Sequence, residues 1–485
     1  MSRIAFPANA LRQAILSSLP EQSAQFGTEP PDPRFLYAPL SHAKAIDPDT
    51  MLVEGNRGAG KSIWWAALLS EEHRRVVART LPKARLDSPL LVSAGFGTGL
   101  SPKQSPSKDI LADLLRDLEP RQIWRTVVGT QLLDGSGKLP GNTWRERVTW
   151  VSGHSEEFET AVDDAGESLR GAGKTRLFVF DALDAAADSW DDLRRLLRGL
   201  LQVALEFRAR RGIRVKVFVR PDMLQDPEVT GFPDASKLTG TKASLTWTRA
   251  DLYGLLWQHL GNAPHGGDVF RRETLALCGQ AWQEIENTWA VPMSLRTDEE
   301  LQRRVFEAIA GSWMGPNYKR GLCYTWLPNH LADSFGQASP RSFQLALRAA
   351  ASHQPPDDWG FALHHEGIRR GVQEASRIRV EEITEDYPWV GPAMESLRGQ
   401  VRIPCAPSDF QARWSSTETL DAVRQVARTS YKLGPRRIER GASGLIQDLT
   451  DLGILQPLPD GRLQMPDVYR VAFGLGRKGG IKPLR

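Results

Sequence analysis

The chain has 485 residues, 41% of them hydrophobic and 25% charged, with a formal net charge of +4. That length corresponds to about three domains, the composition is ordinary for a globular protein, and no run reaches the roughly 18 apolar residues that cross a bilayer, which excludes a membrane partner. The widely spaced Cys278, Cys323 and Cys405 exclude a disulfide framework and have no metal-ligand spacing, and the N-terminus has no apolar core of signal-peptide length, so a cytoplasmic location is expected.

Residues 1–45 read as an N-terminal extension with one short helix near 8–19, after which Pro30, Pro31 and Pro33 break regular structure. An apolar run at 50–54 ends at a glycine and reads as a buried strand, followed by helical character over 61–72. A second strand is expected at 89–96, loops at 98–107 and 134–142, and helices at 108–118, 121–133 and 155–170. The third strand is 176–180. It precedes an amphipathic helix over 190–211, with Leu193, Leu196, Leu197, Leu200 and Leu201 at helical spacing. A fourth strand spans 213–219 and a fifth 243–247, after which Thr248 caps a helix running to Leu260.

This alternation predicts an α/β fold with a mostly parallel sheet and helices on both faces. From 265 to 353 helices dominate, the stretch 354–358 makes a boundary, and 360–430 is helical with an apolar break at 401–404. The end of the chain reads as a helix over 443–455, a hairpin turn at Pro459, Asp460 and Gly461, and a strand or helix over 467–473. The short basic tail that follows reads as a solvated end or a nucleic-acid contact. The expected domains are the extension (1–45), a P-loop nucleotide-binding domain (46–262), a helical lid (263–355), a helical linker (356–430) and an α+β winged-helix-like domain (431–485).

Gly55, Asn56, Arg57, Gly58, Ala59, Gly60, Lys61 and Ser62 match G-x-x-x-x-G-K-[ST]. Glycines at this spacing let successive backbone N–H groups point into one concavity that holds phosphate oxygens, and the helix that starts at Lys61 adds its positive end. Lys61 is expected to reach the β- and γ-phosphates of ATP, and the Ser62 hydroxyl to ligate Mg2+. A similar stretch, Gly171 to Thr175, has Ser168 where the first glycine belongs and precedes a strand, so it reads as a turn.

The apolar run 177–180 ends at Asp181, the pattern of a strand whose terminal carboxylate meets the Mg2+ shell, and this strand is expected beside the phosphate-loop strand. Asp184, three residues on, either orients or deprotonates the attacking water or serves as a capping or supporting acid. Trp64 and Trp65 either pack in the core or offer a face to adenine.

With Asp181, Ala182, Leu183 and Asp184 in this order, the chain resembles the STAND-like branch of the AAA+ ATPases. The family pattern often continues with a glutamate, where this chain has Ala185, so the resemblance implies slow turnover centred on Asp184. It implies that Arg220, at the end of the fourth strand and before Pro221, senses the γ-phosphate, with a structural salt bridge as the alternative. The segments 325–333 and 339–343 resemble bacterial members and imply that Arg341 in the lid closes on nucleotide. Arg249 is a weaker candidate for a finger that acts on a neighbouring subunit. The C-terminal helix and hairpin resemble the winged helix that such ATPases carry.

The resemblance implies an ATP-hydrolysing switch that works through a homo-oligomer or a protein effector, in bacterial signalling or anti-phage defence. The alternative is a DNA-associated motor or loader. In that case Arg436, Arg437, Arg440, Arg477 and Lys478 would meet phosphates, although the presumptive reading helix carries Asp448 and Asp451. A nucleotide-binding scaffold without hydrolysis is the third possibility.

Overall fold

The computed structural model describes residues 6–21, 30–87, 89–430 and 432–484. Its apolar runs become five strands: β1 (Leu52–Glu54), β2 (Leu90–Phe96), β3 (Thr175–Phe180), β4 (Ile213–Val219) and β5 (Ala243–Ser244). They form one wholly parallel sheet in the order β2-β3-β4-β1-β5, and the chain has the α/β P-loop fold. Leu177, Phe178, Val179 and Phe180 of β3 and Val215, Val217 and Phe218 of β4 are buried, as strands covered on both faces require. Helices Lys61–Leu69 and Trp190–Arg208 pack against the sheet.

Several elements differ from expectation. β3 does not lie beside β1, because β4 pairs with both. β5 is only two residues long: Leu245 N still donates to Glu54 O at 2.8 Å, and the chain then leaves the sheet. A helix, Trp144–Gly153, stands just after the stretch expected to be loop, started by a capping box in which Thr143 and Glu146 satisfy each other's backbone N–H groups. The turn at 171–175 is as expected, between helix Ser155–Gly171 and β3.

The chain divides into two compact units. One holds Ala38–Thr246, and the other holds Arg34–Tyr37 and Trp247–Arg485 together with helix Ala8–Ser18. Two spans therefore group differently from the expected boundaries at 45 and 262. Helix Arg249–Gly261 is capped by Thr248 as expected, but it belongs to the helical unit. Leu252, Tyr253, Leu255, Leu256, Trp257 and Leu260 make it apolar around its whole circumference, and such a helix must be surrounded. Tyr253 stacks on Tyr324 at 4.3 Å and meets Phe306 and Phe343 edge-on. Helix Ala8–Ser18 buries Leu11, Ala14 and Ile15 in the same core, and Arg12 donates to Ala362 O at 3.2 Å.

The segment before β1 belongs instead to the sheet unit and is held by Lys216 of β4. This side chain is fully buried, and its Nζ donates to Ala45 O (2.7 Å), Asp47 O (2.9 Å) and Thr50 O (2.5 Å). Burial pulls its pKa down to about 7, against the opposing charges of Asp47 and Asp49.

Later in the helical unit, the antiparallel pair Gln283–Ile285 and Thr288–Ala290 was not expected. Its turn residues Glu286 and Asn287 have φ of 51° and 63°. The C-terminal helix Gly441–Asp451 and the antiparallel pair Gln456–Pro457 and Leu463–Gln464 are present. Residues 467–473 settle as helix Asp467–Phe473, which packs on helix His365–Asp386, where Arg379 Nε donates to Tyr469 Oη at 3.2 Å. The apolar break near 401 is strand Arg402–Ile403, paired in parallel with Gly476–Arg477. The basic tail is thus tied down: Ile481 O accepts from buried Arg470 (2.7 Å), and Leu484 N donates to Val471 O (3.0 Å). Among the described residues no helix is long and apolar enough to cross a membrane.

Candidate nucleotide site

In the sheet unit, β1 and β4 lie side by side, and the chain leaves them in opposite directions. After β1 it goes to β2 at the far edge, and after β4 it goes to β5 at the other edge. Doubly wound sheets hold ligands outside the carboxyl ends of strands at such a reversal. Gly55 to Gly60 form the loop that leaves β1 here, carrying Asn56, Arg57, Gly58 and Ala59, and Gly55 N donates to Val219 O at 3.1 Å. Gly58 and Gly60 have φ of 76° and 99°. A Cβ at Gly60 would meet no atom within 4 Å, so the position calls for glycine through its backbone conformation and not through crowding.

Helix Lys61–Leu69 starts directly from Gly60. Lys61 Nζ donates to Gly55 O (2.8 Å) and Asn56 O (3.2 Å), so the ammonium lies within the curl of the loop. Ser62 Oγ donates to Asp181 Oδ2 at 2.6 Å. The carboxylate and the hydroxyl therefore meet although β4 separates their strands, because parallel strands bring all their carboxyl ends to one edge.

Burial dominates the electrostatics. It pulls the Lys61 ammonium from its ordinary 10.5 down to about 8, opposed by Asp181 and Asp184 and assisted by Arg220. It pushes the Asp181 carboxyl upward, opposed by Lys61, the Ser62 hydroxyl and the Ala182 N–H. A buried carboxylate and a hydroxyl 2.6 Å apart suit a divalent cation whose other oxygens come from phosphate and water, the usual arrangement for Mg2+.

Asp181 is followed by Ala182 at φ 53°, a left-handed conformation that costs about 1–2 kcal/mol for a residue with a Cβ. This kink turns the chain into the 3-10 segment Leu183–Ala185 and brings Asp184 to the site. Ala182→Gly is expected to stabilise the protein by roughly 0.5–1 kcal/mol, with relief of strain exceeding the added freedom of the unfolded chain. A thermal midpoint that fell would contradict the strain.

Arg220, at the end of β4, donates from Nη1 to Asp184 Oδ2 at 3.2 Å and from Nε to Asp222 Oδ1 at 3.1 Å. The salt bridge weighed for Arg220 is therefore present, and one of its carboxylates is the candidate water-orienting acid. Asp222 was missed as a site residue. The only signal for it was its place two residues after Arg220, which does not reveal that the side chain turns back.

Trp64 and Trp65 are core residues. Trp64 Nε1 donates to His42 Nδ1 (3.1 Å) and Trp65 Nε1 to Val179 O (3.2 Å), and both rings are buried, which leaves no face for adenine. His42 passes the chain on to Thr246 O at 3.0 Å, and burial holds its pKa near 4, so the ring stays neutral.

The other two arginines lie in the helical unit. Arg341 starts helix Pro340–Ser352 and pairs with Glu382 at 2.6 Å. Arg249 pairs with Glu299 at 3.5 Å and lies over the Tyr324 ring. Of the basic residues considered for DNA, Arg437 is bound to Asp448 (2.8 Å) and Asp451 (2.6 Å), and Arg477 lies 3.5 Å from Asp467. These contacts neutralise the helix acids from within.

No protein-family model and no curated protein matches the chain. Among solved structures it is similar to the Aeropyrum pernix ORC2 protein in its ADPNP–ADP complexes, with 13% identity over 86% of this chain and 84% of that one and a TM-score of 0.36. The ADP form of the same protein matches with 14% identity over 94% and 93% and a TM-score of 0.32.

Proposed function

We propose that the chain binds ATP with Mg2+ at the β1–β4 edge and hydrolyses it slowly, as a nucleotide-driven switch. The observation that carries this reading is the convergence of Gly55 to Gly60, Lys61, Ser62 and Asp181, closed by the 2.6 Å Ser62–Asp181 contact. The loop N–H groups and Lys61 would hold the phosphates, and Ser62 and Asp181 would hold Mg2+, which supplies charge neutralisation when bound. In hydrolysis, the oxygen of water bonds to the γ-phosphorus, the bond from that phosphorus to the bridging oxygen breaks, and ADP leaves with phosphate. Asp184 orients the water and takes its proton.

Two features favour slow turnover. Asp184 already shares its carboxylate with Arg220, and Ala185 offers no second acid. A γ-phosphate would compete with Asp184 and Asp222 for Arg220. That exchange of partners is the switching event of a STAND- or AAA+-type switch, read out by a second copy or a protein effector in bacterial signalling or anti-phage defence.

The test is phosphate release from the full chain with ATP and Mg2+. Asp184→Asn is expected to lower the rate by about 100-fold or more with little change in ATP binding. A wild-type rate in that variant would remove Asp184 from the mechanism. Tight ATP binding without any phosphate release in the wild type would make the protein a scaffold.

A further inference from the structure

The helical unit presents a loop anchored by buried Met314, whose exposed aromatic and cationic side chains neither the core nor the nucleotide site uses. Residues 311–322 join helices Glu299–Ala310 and Cys323–Leu331. The loop is closed on itself by backbone contacts. Trp313 and Leu322 form an antiparallel bridge, Met314 N donates to Gly321 O (2.9 Å), Gly321 N to Tyr318 O (3.1 Å) and Lys319 N to Asn317 Oδ1 (3.1 Å). From outside the loop, Arg369 Nη2 donates to Met314 O at 2.8 Å.

On this frame the Trp313 and Tyr318 rings meet edge to face at 6.5 Å, yet they remain 37% and 68% exposed. Leaving such surface in water opposes folding, and burial would have been the favourable course. Next to Tyr318 stand Lys319 and Arg320, both exposed. Among the described residues neither has an ion-pair partner, whereas Arg249, Arg303, Arg341, Arg369 and Arg377 of the same unit each pair with a carboxylate. The loop thus offers two flat π faces and two uncompensated cations, pre-ordered by its own backbone.

We propose that this loop is a contact for single-stranded nucleic acid, with bases stacking on Trp313 and Tyr318 and backbone phosphates meeting Lys319 and Arg320. A single strand supplies an unpaired aromatic face and an anion at each nucleotide, the pairing these four side chains ask for. A duplex hides its base faces. The site is independent of the ATP reading and of the C-terminal helix and hairpin.

The test is fluorescence anisotropy of the full chain with a labelled oligothymidylate of about 16 nucleotides, its RNA counterpart, and a duplex of equal length. The single strands are expected to bind more tightly than the duplex, with affinity falling steeply between about 50 and 200 mM salt. Trp313→Ala and Tyr318→Ala should each weaken binding by roughly 5- to 100-fold. The double variant Lys319→Ala, Arg320→Ala should reduce the salt slope by about 1.4, the value for two phosphates of a single strand. Tyr318→Ala and the double variant should keep the wild-type thermal midpoint, since those side chains are exposed, whereas Trp313→Ala, which removes a ring only 37% exposed, should lower it. If the single strands do not bind, or bind equally well to Tyr318→Ala and to the double variant, the proposal is overturned. Binding of poly-glutamate but not of the oligonucleotides, with the same sensitivity to the variants, would overturn it in favour of an acidic protein partner.

Discussion

Lys61→Ala is expected to weaken ATP binding by at least about 100-fold, roughly 3 kcal/mol, while the protein stays folded. The ammonium lies inside the loop on two carbonyl oxygens, and the backbone N–H groups that remain cannot replace a full positive charge against a polyphosphate. The loop conformation itself rests on Gly58 and Gly60, so the variant should keep its thermal midpoint. Equilibrium binding of a fluorescent ATP analogue measures the loss.

A pH dependence accompanies this effect. Burial lowers the Lys61 pKa to about 8 in the protein, and nearby phosphate charge favours the protonated form, so binding draws in a proton once the pH exceeds 8. Affinity should therefore fall by up to roughly tenfold per pH unit above 8 and stay level below it, as far as this group is concerned. Full affinity in Lys61→Ala would show that the loop holds nucleotide differently or not at all.

Lys216→Met should destabilise the sheet unit by about 3 kcal/mol, the largest stability effect we expect from one substitution outside the apolar core. The loss strands the carbonyls of Ala45 and Thr50, while Asp47 O keeps the Thr50 N–H at 3.0 Å, and each unsatisfied buried acceptor costs about 1–3 kcal/mol. Relief from burying an ammonium offsets part of that sum. Denaturant unfolding gives the number.

The sign of the pH effect separates this account from simple loss of packing. The folded pKa is lowered to about 7 from 10.5, so between those values the unfolded chain binds more protons than the folded one. Stability from this group therefore rises as pH goes from 7 to 10.5, and it is flat below 7, where both states are protonated. The wild type should show that rise more strongly than Lys216→Met. An unchanged midpoint in the variant, at every pH, would mean that the Ala45 and Thr50 carbonyls need no donor.

What was legible in the sequence follows from how locally each feature is determined. The phosphate loop is written in adjacent residues: Gly58 and Gly60 supply the left-handed backbone, and Lys61 opens the helix. Strands β2, β3 and β4 are short apolar runs between polar turns, and Thr248 announces its helix through the three-residue spacing to Asp251. The insertion of β4 between β1 and β3 was not legible, because strand order depends on crossovers spanning dozens of residues and not on any strand's own pattern.

The turn Glu286–Asn287 carries no glycine although both residues have positive φ, so the usual hairpin signal was missing. Lys216 breaks the apolar rhythm of β4 and looks like a surface residue until its three carbonyl partners, more than 160 positions away, are known. Trp64 and Trp65 could not be assigned from sequence: core packing is the commoner role for an indole on a helix that packs on a sheet, but one beside a phosphate loop also serves a base. Their hydrogen bonds to His42 and Val179 settle them as core. Asp222 escaped for the same reason as Lys216: its role is visible only in the direction its side chain takes toward Arg220.

The central claim is that the β1–β4 edge grips a nucleoside triphosphate with Mg2+, and the most direct measurement is calorimetric titration of the purified full chain with ATP, in Mg2+ and again in EDTA. The account predicts saturable uptake of one ATP per chain, markedly weakened by EDTA. The absence of any binding heat up to millimolar ATP, confirmed by failure to retain labelled ATP on a filter, would contradict it.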